Sequence, residues 1–147
     1  MARPKASKLA SKIVRNRNCA AGVCNPQRRQ GLRAPAAKGG HELVVLRGPG
    51  VFVAAQISKQ GGSSGLTFAN LDIDGKNVTS LSFAAAENWG LTQSNPYGIV
   101  LLKGAHVSTL TIGFPTPLRF DRELRLHVKV QEPGVVQILG NVIHGSA

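Results

Sequence analysis

The chain has 147 residues and a mass of 15.5 kDa, room for one ordinary domain and too little for a two-domain enzyme. Its 18 Lys and Arg against 7 Asp and Glu give a net charge of +11. Residues 1–40 carry ten basic residues and no acidic one, which leaves +1 for residues 41–147, a nearly neutral and apolar body. No run approaches the roughly 18 uninterrupted apolar residues of a membrane span, and no short apolar block of a secretory signal opens the chain, so no membrane contact is expected.

Residues 1–40 read as an extended basic arm. They contain no Phe, Trp or Tyr, few large aliphatics, and the breakers Pro4, Pro26, Pro35 and Gly39-Gly40. Such a segment buries too little apolar area to offset its ordering entropy. Within it, Ala6, Leu9, Ala10, Ile13 and Val14 fall at helical spacing while Lys8, Lys12 and Arg15 point elsewhere, so residues 5–17 predict a short amphipathic helix that docks on a partner through Leu9, Ile13 and Val14. Cys19 and Cys24 supply at most two thiolates and His41 is distant, so they read as free thiols rather than half of a zinc site.

After Gly40 the texture becomes short β-branched runs bounded by Gly, Pro, Asn and Asp. Strands are predicted over 42–47, 51–57, 66–73, 77–83, 98–102, 107–112, 123–130 and 134–142. About eight short strands with evenly spaced turns make residues 41–147 an all-β domain, an antiparallel β-sandwich or jelly roll. In 123–130, Leu124, Leu126, Val128 and Val130 share the core face and Glu123, Arg125, His127 and Lys129 the other. Asp74-Gly75 predicts a tight hairpin and explains Asp72–Asn77 better than a calcium loop does, since the distal Glu of such a loop is missing. The run 98–102 is apolar without alternation, as for a strand covered on both faces, with another subunit one candidate for the second cover. Residues 58–65 read as a flexible polar connection. Residues 84–97 hold the only Trp and Tyr, so Trp89 and Tyr97 are expected either at a subunit interface or closing one end of the sandwich.

Catalysis finds no support. His41, His106, His127 and His144 are dispersed, no Ser lies in a nucleophile elbow, and Asp121 and Glu123 sit among Arg119, Arg122 and Arg125 as a surface ion network. His127, on the polar face of its strand, reads as a solvated or interfacial ring. Gly48-Pro49-Gly50 lacks the Lys-Ser/Thr of a phosphate loop. No catalytic residue, metal site or cofactor is expected.

The strongest functional signal is the arm, where Arg3, Lys5, Lys8, Lys12, Arg15, Arg17, Arg28, Arg29, Arg33 and Lys38 are unopposed. Those ten charges suit either an acidic groove on a protein lattice or the phosphates of a nucleic acid, whose binding would be steeply salt-dependent. The absence of aromatic residues disfavours single-strand base stacking. A cleavable targeting peptide shares this composition.

Arg47-Gly-Pro-Gly-Val-Phe-Val-Ala-Ala, Leu71-Asp-Ile-Asp-Gly-Lys and Pro117-Leu-Arg-Phe-Asp-Arg-Glu-Leu-Arg-Leu-His-Val, in this order over about residues 43–143, resemble the small jelly-roll modules of tailed-bacteriophage virions. The resemblance implies a capsid decoration (cement) or head-fibre protein, a dimer or trimer that contacts the major capsid protein or other virion subunits, placed in the virion after assembly in the host cytoplasm. The arm resembles those with which virion proteins reach under their neighbours. Similar arms bind the genome in single-jelly-roll coat proteins of small RNA viruses, so a nucleic-acid-binding structural protein, a small coat protein or a component of a ribosome-like particle, is the alternative.

Overall fold

The computed structural model describes residues 19–146. Those residues form β1 (Cys19–Ala20), β2 (Val23–Arg33), β3 (Gly39–Arg47), β4 (Gly50–Gly61), β5 (Thr67–Ile73), β6 (Lys76–Ser82), helix α1 (Phe83–Asn88), β7 (Ile99–Lys103), β8 (Val107–Phe120), β9 (Glu123–Val130) and β10 (Val135–Ser146). Two sheets, both antiparallel throughout, lie face to face: a six-stranded sheet in the order β1-β2-β10-β4-β8-β7 and a four-stranded sheet in the order β3-β9-β5-β6. The protein is a β-sandwich, as the strand texture predicts.

The core follows from the two-residue period of a strand. Leu124, Leu126, Val128 and Val130 of β9 are buried, and Phe52, Ile57, Leu110, Ile138 and Val142 of the facing sheet complete the layer. Full burial of each such side chain contributes about 1.5–3 kcal/mol. Edge strands receive less. β7 buries only Leu101, and Leu102 is 53% exposed, so within one chain this strand is covered on one face only and the other stays open.

The division at residue 40 is also corrected. β2 lies inside the segment read as arm and pairs with β10 from Arg33↔Ile138 to Cys24↔Ser146. Its sequence, VCNPQRRQGLR, looks unable to fold because it has almost no apolar face. Its order comes from ladder hydrogen bonds to β10 and from backbone packing on β3 rather than from side-chain burial. Gly31 makes that packing possible, since a Cβ there would lie 1.7 Å from the carbonyl oxygen of Leu43. The sandwich thus begins at Cys19 among the described residues, while the predicted helix over 5–17 with Leu9, Ile13 and Val14, and the charges Arg3, Lys5, Lys8, Lys12, Arg15 and Arg17, lie outside them.

Cys19 and Cys24 form a disulfide, contrary to the free-thiol expectation. Ala21 and Gly22, both with positive φ, make a two-residue turn that sets Cys19 opposite Cys24. The connection read as polar loop over 58–65 is shorter, because β4 continues to Gly61, and the 84–97 connection opens with α1. Strand β8 runs eight residues beyond the expected end at 112, past Pro115 and Pro117 to Phe120.

Asp74 and Gly75, with φ of 52° and 79°, form the expected hairpin turn, tighter than the Ile73 and Val78 flanks the sequence suggests, since Lys76 is the residue opposite Ile73. The Asp74 carboxylate also accepts hydrogen bonds from the backbone N–H groups of Asp121, Arg122 and Glu123 at 2.9, 2.7 and 3.0 Å, tying this turn to the one between β8 and β9. Those three donors, Asp121 first, pull its pKa down to about 2. A carboxyl whose folded pKa lies below its unfolded value stabilises fully above the unfolded value and loses that contribution as pH falls through the folded one. Stability should therefore decline between about pH 4 and pH 2 in part through Asp74. Asp74→Asn, which tolerates the left-handed backbone, should lower stability at neutral pH and flatten that decline in thermal melts; an unchanged acid limb would count against the tie.

Candidate assembly surfaces

The two open sides of the sandwich differ in chemistry. On one, β2 is the outer strand for most of its length, since β1 pairs only at Ala20↔Val23 and Cys19↔Cys24. Arg28, Arg29 and Arg33 stand exposed along it, with exposed Lys38 just beyond. All seven Asp and Glu side chains are engaged elsewhere. Glu42 pairs with Arg125, Asp72 with His127, Glu87 with Lys103, Asp121 with Arg119, Glu123 with Arg47 and Arg125, and Glu132 with Lys59, while Asp74 holds backbone. Among the described residues these four cations have no acidic partner. His144 lies beside them, and burial together with the Arg29 charge holds its pKa below the usual histidine value.

The opposite side joins β6 to β7 through α1 and residues 89–98. Ser82 caps the helix, its Oγ accepting from the Ala85 N–H at 3.0 Å, and Phe83 and Ala86 anchor it to the core. The chain leaves the helix at Trp89, turns at Gly90 (φ 71°), and is pinned by Leu101 N–H to Leu91 C=O at 2.6 Å. Asn95 then holds the return: its Oδ1 accepts from Tyr97 N–H at 2.9 Å and its Nδ2 donates to Ile99 C=O at 2.6 Å. This framework presents Trp89 at 70% and Tyr97 at 74% exposure, so neither closes the sandwich end. Between them lies an open groove of about 510 Å³, lined by Val78, Leu81, Leu91 and Ile99 as well as the two rings, with no charged residue.

Polar constellations elsewhere are mutually engaged. His127 shares a 2.7 Å hydrogen bond with Asp72 across the β5–β9 pair; burial pushes the Asp72 carboxyl up, but hydrogen bonds from Asn77 and His127 bring it below its ordinary range. The ring is half-buried against the neighbouring strand rather than solvated. The expected surface ion network is formed in part: Arg119 pairs with Asp121 and Arg125 with Glu123, while the Arg122 side chain donates to the Asp74 backbone carbonyl instead. A polar cleft of about 560 Å³ holds Lys59, Lys103, Glu87 and His106, with Lys103 tied to Glu87 at 2.6 Å. Beneath it Lys59 meets Glu132 at 3.0 Å, both buried. That pair escapes the sequence reading, which ends its strand at Ile57; continuing the alternation through Ala55 and Ile57 puts Lys59 on the core face, where an amine needs a carboxylate. Among the described residues no group of three or more His, Cys, Asp or Glu gathers for a metal, and no helix is long and apolar enough to cross a membrane.

No protein-family model matches the chain, and no curated protein is similar to it at a significant level. The functional reading rests on the two surfaces.

Proposed function

We propose that the protein is a non-enzymatic structural component of a virion, a jelly-roll body that decorates or cements a capsid lattice while its basic N-terminal segment reaches neighbouring subunits. The strand order carries this reading. Without the two-residue β1 and the edge strand β7, eight strands remain, four to a sheet, in the orders β2-β10-β4-β8 and β3-β9-β5-β6. In each sheet a late strand is seated between two early ones, as results from rolling a long hairpin ribbon into a sandwich, and jelly rolls recur in viral capsids. Fold alone does not fix function. The second support is the division of the surface into a cationic side and an aromatic side, which suits a subunit gripped at two places. The resemblance of the 47–55, 71–76 and 117–128 segments to tailed-phage modules points the same way.

A nucleic-acid-binding structural role is the second reading, favoured by Arg28, Arg29, Arg33 and Lys38 having no acidic partner among the described residues. Washing particles that contain the chain with nuclease and then with rising salt separates the two. A lattice-held chain stays in the particle fraction. A phosphate-held chain is released, and Arg28→Gln/Arg29→Gln/Arg33→Gln should then lower the log–log salt slope of DNA binding by up to about 3, near 0.9 per phosphate contact.

A further inference from the structure

We propose that the apolar groove between β6 and β7 receives the N-terminal segment of a second copy of this chain, through Leu9, Ile13 and Val14, so that copies join head to tail. This rests on the assembly reading above and names the partner of its aromatic surface. The groove offers the apolar walls Val78, Leu81, Leu91 and Ile99 between two exposed rings and presents no charge. The segment offers a narrow apolar stripe at helical spacing with Lys8 and Lys12 off it, the pattern of a helix laid in a groove with its charges left in water. Exposed Trp89 and Tyr97 faces also suit the flanking ammonium and guanidinium groups.

Reach decides between the chain's own groove and a neighbour's. Cys19 sits on β1, and the groove lies beyond β7, five inter-strand steps away in the same sheet. At about 4.8 Å per step that is roughly 24 Å along the sheet, and more around it. Val14 and Ile13 are five and six residues from Cys19, spans of at most about 18 and 22 Å fully extended. Ile13 and Val14 therefore cannot enter their own groove. Leu9 alone, ten residues from Cys19, could span the distance, but docking through all three residues must be between copies, and because segment and groove are different surfaces the contact is heterologous, closing into a ring or continuing as a filament.

Two full-length variants test this. Leu9→Asp/Ile13→Asp spoils the segment and leaves the groove; Trp89→Ala/Tyr97→Ala spoils the groove and leaves the segment. Light scattering after size exclusion should show wild-type chains self-associating and each variant alone weakened about 100-fold or more. Mixed, the two variants should form a 1:1 heterodimer that grows no further, since one working segment and one working groove remain. Trp89 is the only Trp of the chain, so in the mixture all tryptophan emission comes from the intact groove and should shift to the blue on docking. A peptide of residues 5–17 added to the Leu9→Asp/Ile13→Asp chain should give the same shift, which keeps the test independent of whether the groove variant folds. Overturning results are a monomeric wild type, self-association of the segment variant equal to wild type (groove against groove), or no emission change with either the complementary chain or the peptide. A heterodimer formed by a chain that is absent from particles would sink the virion reading and leave this inference standing; the reverse pattern sinks this inference alone.

Discussion

Replacing Lys59 by Met should lower stability by about 3 kcal/mol or more, a fall in Tm of roughly 10–15 °C for a chain of this size. The Glu132 side chain is fully buried and that of Lys59 is 7% exposed. Oε1 of Glu132 accepts from Ser63 N–H at 2.8 Å and Gly65 N–H at 3.3 Å, and Oε2 from Thr67 Oγ1 at 2.7 Å and Lys59 Nζ at 3.0 Å. The carboxylate thus gathers the 61–66 turn, the start of β5 and the β9–β10 link around one point, with the Lys59 ammonium 5.0 Å above the Phe83 ring centre. Gly62 is held open for it, because a Cβ there would lie 2.0 Å from Oε1.

Removing the amine leaves a buried carboxylate with neutral donors only, a larger loss than the net contribution of the pair itself. Glu132→Gln should cost a similar amount, since an amide NH₂ in place of Oε2 faces the Lys59 ammonium and in place of Oε1 faces the Ser63 and Gly65 N–H groups. The double variant Lys59→Met/Glu132→Gln should cost clearly less than the sum; additive losses would mean the two groups do not act as a pair. Burial pushes the Glu132 carboxyl up, but the Thr67 and Lys59 hydrogen bonds and the Lys59 charge carry it below the ordinary glutamate value. Its stabilisation is therefore complete above that ordinary value and lost as pH falls through the depressed one. Lys59→Met should move the acid limb of the stability curve to higher pH.

Gly31→Ala is expected to detach β2. The added Cβ would lie 1.7 Å from Leu43 O and 2.6 Å from Leu43 C, backbone atoms of β3 that cannot rotate aside. Strain of this kind costs about 3 kcal/mol, and here it is relieved most cheaply by peeling the outer strand away. Hydrogen exchange should show lost protection for residues 27–33, while β4 and β9, paired on both sides, keep theirs. Gly40→Ala is the control, with nothing nearer than 4.0 Å to its Cβ, and should change stability by less than about 0.5 kcal/mol. Retained protection across β2 in Gly31→Ala would show that the strand is not seated on β3.

The parts of the fold legible in the sequence are those written in side-chain period. β9 declares itself through Leu124, Leu126, Val128 and Val130, and the Asp74-Gly75 turn through the residue pair that tolerates positive φ. β2 is hidden because its order derives from β10 and from a glycine, neither of which leaves an apolar pattern. The disulfide is hidden with it, since only the Ala21-Gly22 turn aligns the cysteines. Trp89 and Tyr97 stand out by rarity alone, but the groove between them depends on Val78 and Leu81 of one sheet and Ile99 of the other, which pairing and packing bring together. The four basic residues of the cationic side are legible as charge; that three of them line a strand edge is not.

As proposed, this sandwich is a subunit held in a larger shell. A low-resolution density map of the assembled particle tests this most directly: a compact two-layer body is expected at repeated positions on the shell, each joined to a neighbour by density leading from the β1–β2 side. Particles whose shell carries no such repeating body, or a chain recovered only with nucleic acid, would contradict it.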